Sequence, residues 1–165
     1  MKPFLFTSAL LASLLLLTAC GGGGSPSETP ASEPVASASD AGVIKITGSD
    51  QMRFNLSEIR AKAGETVRVQ LTNVGKLPIQ AMGHNWVVLN RPVTEEEFVA
   101  FATAAAQNPP GYLPKDQSLI LAHTKLLGPG ASDTIEFTAP AAGTYDFLCT
   151  FPGHYALMRG KMIVE

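Results

Sequence analysis

Cysteine is scarce in this chain: 165 residues hold only Cys20 and Cys149, one near each end. A framework of disulfides is therefore excluded. Histidine is almost as rare, at three residues, and there is a single tryptophan. Charge is low and balanced. Of twelve Lys/Arg only Lys2 lies before residue 43, and of fourteen Asp/Glu only Glu28, Glu33 and Asp40 do, leaving eleven of each beyond it. That balance argues against nucleic acid as a partner, which requires a basic face. No apolar run is long enough for a membrane-spanning helix, which needs about 20 residues. The longest, Phe4 to Ala19, has 16 and is interrupted by Ser8 and Ser13.

What is present at the start has its own meaning. A basic Met1-Lys2, a short apolar stretch and small residues at its end predict a secretory signal peptide over residues 1–19. Leu17-Thr18-Ala19-Cys20 resembles the bacterial lipobox. The resemblance implies cleavage before Cys20 and a lipid on that cysteine. Each buried acyl methylene contributes about 0.8 kcal/mol to such an anchor. Residues 20–42 then hold four consecutive glycines, Pro26, Pro30 and Pro34, and one large aliphatic residue, Val35. Such a segment cannot form a core and reads as a flexible tether. Gly21 follows the lipobox cysteine where inner-membrane lipoproteins carry a retention aspartate, which favours the outer membrane, with the domain facing the periplasm or the cell surface.

From Val43 to Glu165 the chain is long enough for one domain with its own core. Alternating segments mark strands at 43–47, 66–71, 132–137, 144–149 and 161–164, separated by Gly and Pro turns. Val67, Val69 and Leu71 are the inward set of the second. One segment differs. Thr94-Glu95-Glu96-Glu97 is a capping box, and Phe98, Phe101, Ala102 and Ala105 follow at helical spacing until Asn108-Pro109-Pro110 stops the run. The expected fold is all-β, a sandwich or barrel with one helical insertion whose Phe stripe packs into the core.

Cys149 is left with no partner in an exported, oxidising setting, so a protected ligand role suits it. His154 and Met158 follow it on one short loop, and Gly83-His84 supplies a second imidazole and a carbonyl. Thiolate, two imidazoles and a weak axial thioether suit copper in a trigonal site above other metals. One copper per chain, cycling between Cu(I) and Cu(II), is expected.

These motifs, with Gly48-Ser49-Asp50-Gln51-Met52-Arg53-Phe54, Leu77-Pro78, Met82-Gly83-His84-Asn85-Trp86 and Ala122-His123-Thr124-Lys125, resemble the azurin family of blue-copper proteins in the cupredoxin superfamily, and most closely its lipid-modified members. The resemblance covers nearly all of residues 43–165 and implies a Greek-key β-sandwich. It makes His84, Cys149 and His154 the equatorial ligands, Met158 the axial ligand and Gly83 the opposing carbonyl. Asn85 would bond across to the ligand loop, and the Phe151 amide would reach the Cys149 sulfur. Trp86 would point into the core, and His123 would be a surface residue and no ligand. Met52, Leu77, Pro78, Met82, Phe151, Pro152, Gly153 and Ala156 match the apolar docking patch, with the edge of His154 reaching the surface inside it. Two departures stand out. The family's disulfide has no counterpart, and Asn73 replaces a histidine tied to pH-dependent behaviour in some azurins.

The resulting expectation is a monomeric, membrane-tethered electron carrier in a bacterial cell envelope. Its partners would be redox proteins such as c-type cytochromes or copper reductases and oxidases. No enzymatic role is expected, since a copper nitrite reductase needs three further imidazoles for a catalytic copper, and this chain has three histidines in all. Copper storage would show Met- or His-rich tracts, and none occurs.

Overall fold

The computed structural model describes residues 35–37 and 42–165. The predicted signal peptide, Cys20 and most of the tether lie outside the described residues. No helix among those described is long and apolar enough to cross a membrane.

Among the described residues, ten strands form two sheets. The larger contains β1 (Val35–Ser37), β4 (Glu58–Ala61), β10 (Arg159–Val164), β9 (Gly143–Leu148), β6 (Val87–Leu89) and β7 (Ile120–His123), in that spatial order. The smaller runs β3 (Arg53–Phe54), β2 (Val43–Ser49), β5 (Thr66–Asn73), β8 (Ser132–Thr138). β2 and β3, β6 and β7, and β9 and β10 pair as neighbours in sequence, while β4 with β10, β6 with β9 and β2 with β5 pair across longer connections, as in a Greek-key sandwich. Closure into a barrel, left open by the sequence, does not occur.

The alternating patterns place residues as expected. In β5 every second residue from Val67 is buried, and Val67, Val69 and Leu71 have no exposed surface. They pack against Ile44, Ile46, Ile59, Trp86, Phe147 and Met162 between the sheets. Trp86 is fully buried there, its ring 5.4 Å from that of Phe147 and 6.2 Å from that of Phe137. Burying side chains of this size contributes roughly 1.5–3 kcal/mol each. β6 is buried on both faces, so it shows no alternation to read.

The insertion is α2 (Glu95–Ala106), and its capping box is complete: Thr94 Oγ1 accepts from Glu97 N, and the Glu97 carboxylate accepts from Thr94 N. Phe98, Phe101, Ala102 and Ala105 are buried against Val87, Leu89 and Leu148. Arg159 fastens the helix to β10. Its guanidinium donates twice to Glu95, both at 2.8 Å, and lies 3.8 Å from the centre of the Phe98 ring. A second helix, the single turn α1 (Ile79–Met82), follows Pro78 and is too short to leave a periodic signature.

Val35–Ser37, read in the sequence as part of the tether, pairs in parallel with Glu58–Arg60 and extends the edge of the larger sheet. Backbone pairing at an open edge needs no apolar pattern, so composition alone conceals it.

Candidate metal centre

His84 lies between α1 and β6, in an isolated antiparallel bridge with Leu127. The His84 amide donates to the Leu127 carbonyl at 3.1 Å and the Leu127 amide to the His84 carbonyl at 2.8 Å. Asn73, fully buried, holds the same place from the other sheet: its Nδ2 donates to the carbonyls of Leu127 at 3.0 Å and Met82 at 3.3 Å. This amide has no titratable proton. Gly83 is buried where a Cβ would come within 2.8 Å of the Ile79 carbonyl oxygen.

Cys149, His154 and Met158 share a loop whose ends are tied. The Cys149 amide donates to the Met158 carbonyl at 2.9 Å, and β9 and β10 pair from Leu148 and Arg159 onward. Within it, Gly153 turns the chain at φ 81°, a left-handed conformation that favours glycine, into one 3₁₀ turn, His154–Ala156. The amides of Leu157 and Met158 donate to the His154 carbonyl.

The fold brings His84, Cys149 and His154 together, buried, with one ligand atom from each lying within 4.8 Å of the others. Cys149 Sγ is 3.6 Å from His154 Nδ1, and the two imidazoles are 5.1 Å apart, tilted by 45°. Met158 is fully buried and packs with Cys149 and Phe151.

Protonation follows from burial. The Cys149 thiol is pushed up to about 12 by desolvation, against the backbone N–H groups of Asn85 and Phe151, which favour the thiolate. His154 is pushed down to about 4 by burial and then by the nearby His84. His84 is also lowered by burial, opposed by the Ser49 carbonyl and the Asp50 charge. Neither ring nitrogen of His84 makes a hydrogen bond of normal geometry. A buried polar atom without a partner costs about 1–3 kcal/mol, and a cation seated among these donors would remove that cost. Neutral imidazoles, a soft sulfur that can shed its proton and a nearby thioether fit copper.

Around this cluster Asn85 joins three segments. Its Nδ2 donates to Thr150 Oγ1 at 2.7 Å and to the Gly111 carbonyl at 3.3 Å, and its Oδ1 accepts from Thr150 N at 2.8 Å. Thr150 Oγ1 in turn donates to the Tyr112 carbonyl, and the Tyr112 ring meets Phe151 edge-on at 5.0 Å. Sequence reasoning placed Asn85 and the Phe151 amide but missed Thr150, Tyr112 and the backbone amide of Asn85. Only contacts across 38 to 65 residues reveal them.

The apolar patch residues divide. Leu77, Pro78, Pro152, Gly153 and Ala156 are exposed, Met52 and Met82 are half-buried, and Phe151 is buried. Leu157, at 49% exposure, is a further exposed apolar side chain on the ligand loop. The expected surface edge of His154 is corrected: the residue is 2% exposed. The 3₁₀ turn tucks its ring beside His84, with the Phe151 ring 4.6 Å away. His123 is half-buried on β7, its Nδ1 3.1 Å from the Thr124 carbonyl, and is not among the clustered donors.

Comparison with known proteins agrees with this geometry. The model for copper binding proteins of the plastocyanin/azurin family matches residues 41–165. The chain is 35% identical to auracyanin-A of Chloroflexus aurantiacus over 159 residues, covering 96% of this chain and 94% of that protein. It is 41% identical to azurin of Bordetella pertussis over 123 residues, covering 72% and 81% respectively. Among solved structures, the reduced auracyanin of Roseiflexus castenholzii superposes with a TM-score of 0.67 at 38% identity, covering 74% of this chain and 96% of that one. The chain belongs to the plastocyanin/azurin family of copper-binding proteins, the blue-copper cupredoxins that carry electrons.

Proposed function

We propose that this protein is a membrane-tethered one-electron carrier of a bacterial cell envelope, held by a lipid on Cys20 and exchanging electrons with redox proteins such as c-type cytochromes. The observation that carries the electron-transfer reading is the buried cluster of His84, Cys149 and His154, with Met158 packed against the cysteine. His84, Cys149 and His154 would hold the copper, and Met158 and the Gly83 carbonyl would flank it. Copper supplies a Cu(I)/Cu(II) couple that takes up and releases one electron.

The chain contributes three things. Its ligands come from separate segments locked by the His84–Leu127 bridge, the Cys149–Met158 bond and the Asn85 network, so the donors are held before metal arrives. A rigid donor set keeps reorganisation small when the charge changes, as fast electron transfer requires. Burial excludes water from the sulfur, and the amides of Asn85 and Phe151 steady negative charge on it. Finally, Leu77, Pro78, Pro152, Gly153 and Ala156 offer exposed apolar surface, with Phe151 between it and His154. Uncharged surface of this kind suits brief docking.

Support for the tether is the sequence alone: the apolar leader, the lipobox-like Leu17-Thr18-Ala19-Cys20 and the Gly/Ser/Pro segment. A redox titration of the copper-loaded domain tests the carrier reading, with a reversible one-electron transition expected. Labelling cells with a fatty acid tests the anchor. Wild type should take label and fractionate with membranes, and Cys20→Ala should do neither while keeping its colour. A Cys20→Ala protein that remains labelled and membrane-bound would contradict the anchor.

A further inference from the structure

We infer that Gly48 is a positioning residue for the metal centre: its bare backbone lets the Met158 thioether and the His84 ring settle where they do. The inference deepens the copper reading above and rests on it.

Gly48 lies on β2, whose inward face is Ile44, Ile46 and Gly48, all buried. The third position of a core-facing row would ordinarily hold a large apolar residue. A glycine inside a strand weakens it and often marks a close approach. Conformation does not require it here, because the positive-φ glycines of the described residues are Gly64, Gly130 and Gly153. Its backbone is engaged as in any strand, paired with Asn73 and Phe54, and its carbonyl accepts from Val74 N at 2.9 Å.

What remains is space. A Cβ at Gly48 would lie 2.8 Å from Met158 Cε, 2.9 Å from His84 Cδ2 and 3.0 Å from His84 Cγ. The backbone of the smaller sheet is thus the wall against which two of the four donor side chains rest. Those two would respond differently to a methyl group. The His84 residue is bonded to Leu127 in both directions, and Asn73 grips the carbonyls on either side of it. Met158 Cε is the free end of an unbranched side chain with three rotatable bonds. A side chain at position 48 therefore displaces the thioether first. Gly48 would thereby govern where the Met158 sulfur can settle beside the other donors, and through it the potential of a bound copper.

The test uses Gly48→Ala, Met158→Ala and the double variant. In the apo domain, the Met158 methyl resonance should move in Gly48→Ala while unfolding stays cooperative. In the loaded domain, copper affinity should change by less than about 10-fold, because the displaced thioether is a weak ligand. The thiolate absorption and the midpoint potential should shift. In the Met158→Ala background the same Gly48→Ala change should shift both much less, because the group it displaces is gone. A Gly48→Ala variant with wild-type methyl resonance and potential overturns the inference, and so does a full shift persisting without Met158. Should Gly48→Ala fail to fold, rescue by Met158→Ala supports the contact and failure to rescue overturns it. A wild-type domain that binds no copper would sink the functional reading instead, while the apo methyl resonance still decides the role of Gly48.

Discussion

Replacing Asn85 by alanine should destabilise the apo domain before any metal is considered. The side chain makes three hydrogen bonds, two to Thr150 at 2.7 and 2.8 Å and a longer one to Gly111 at 3.3 Å. A buried intramolecular hydrogen bond contributes about 1 kcal/mol net, which gives about 3 kcal/mol. The Thr150 amide would be left buried without its acceptor, since Thr150 has 1% exposure. That penalty raises the loss toward about 5 kcal/mol. Against a typical domain stability of about 5–15 kcal/mol, the change is large. Urea unfolding of the apo protein measures it as a shift in midpoint at unchanged slope. A double-mutant cycle with Thr150→Val should show a coupling of about 1–3 kcal/mol. A loss below about 1 kcal/mol, or additive single changes, would refute the claim that Asn85 ties the His84 segment to the Cys149 loop.

Other predictions follow from the protonation and surface of the site. Unfolded histidine binds a proton near 6.5, whereas folded His154 resists until about 4, so protons favour the unfolded state between those values. Apo stability should therefore fall as pH drops from 6.5 to 4, by up to about 3 kcal/mol from this residue. His84 acts in the same direction, and a flat urea midpoint across that window would contradict the assignment. At pH 7 the buried Cys149 thiol is protonated and both imidazoles are neutral, so loading should release about one proton per copper. An indicator in weak buffer reads this directly, and two or more protons would show that the imidazoles enter charged. Ala156→Asp or Met82→Lys should slow self-exchange by about tenfold or more in stopped-flow, as like charges meet, with the spectrum nearly intact. Unchanged rates would move the docking face elsewhere, toward His123 for example.

The legible parts of this molecule are those whose physics is local. The loop from Cys149 to Met158 declares its chemistry because three soft or imidazole donors sit within ten residues. The capping box at Thr94 and the Phe98/Phe101 spacing give α2 nearly to the residue. β5 and β8 show their alternation because one face of each meets the core and the other solvent. The rest depends on encounters between distant segments. Gly48 falls just past the strand marked at 43–47, and nothing local shows that Met158 and His84 press on it. β6 is apolar on both faces, and β1 is backbone pairing at an edge, so neither leaves a period-2 trace. The depth of His154 follows from the way Gly153 and the 3₁₀ turn fold the loop inward, which spacing alone does not convey.

The central claim is that Cys149 is the thiolate of a copper site already shaped by the fold. The most direct measurement is the visible absorption spectrum of the copper-loaded domain beside that of Cys149→Ala. Wild type should show an intense thiolate-to-copper band, and Cys149→Ala should lose it while its far-UV circular dichroism still reports a folded sandwich. A Cys149→Ala protein that keeps the band, or a wild-type domain that takes up copper without one, would contradict the account.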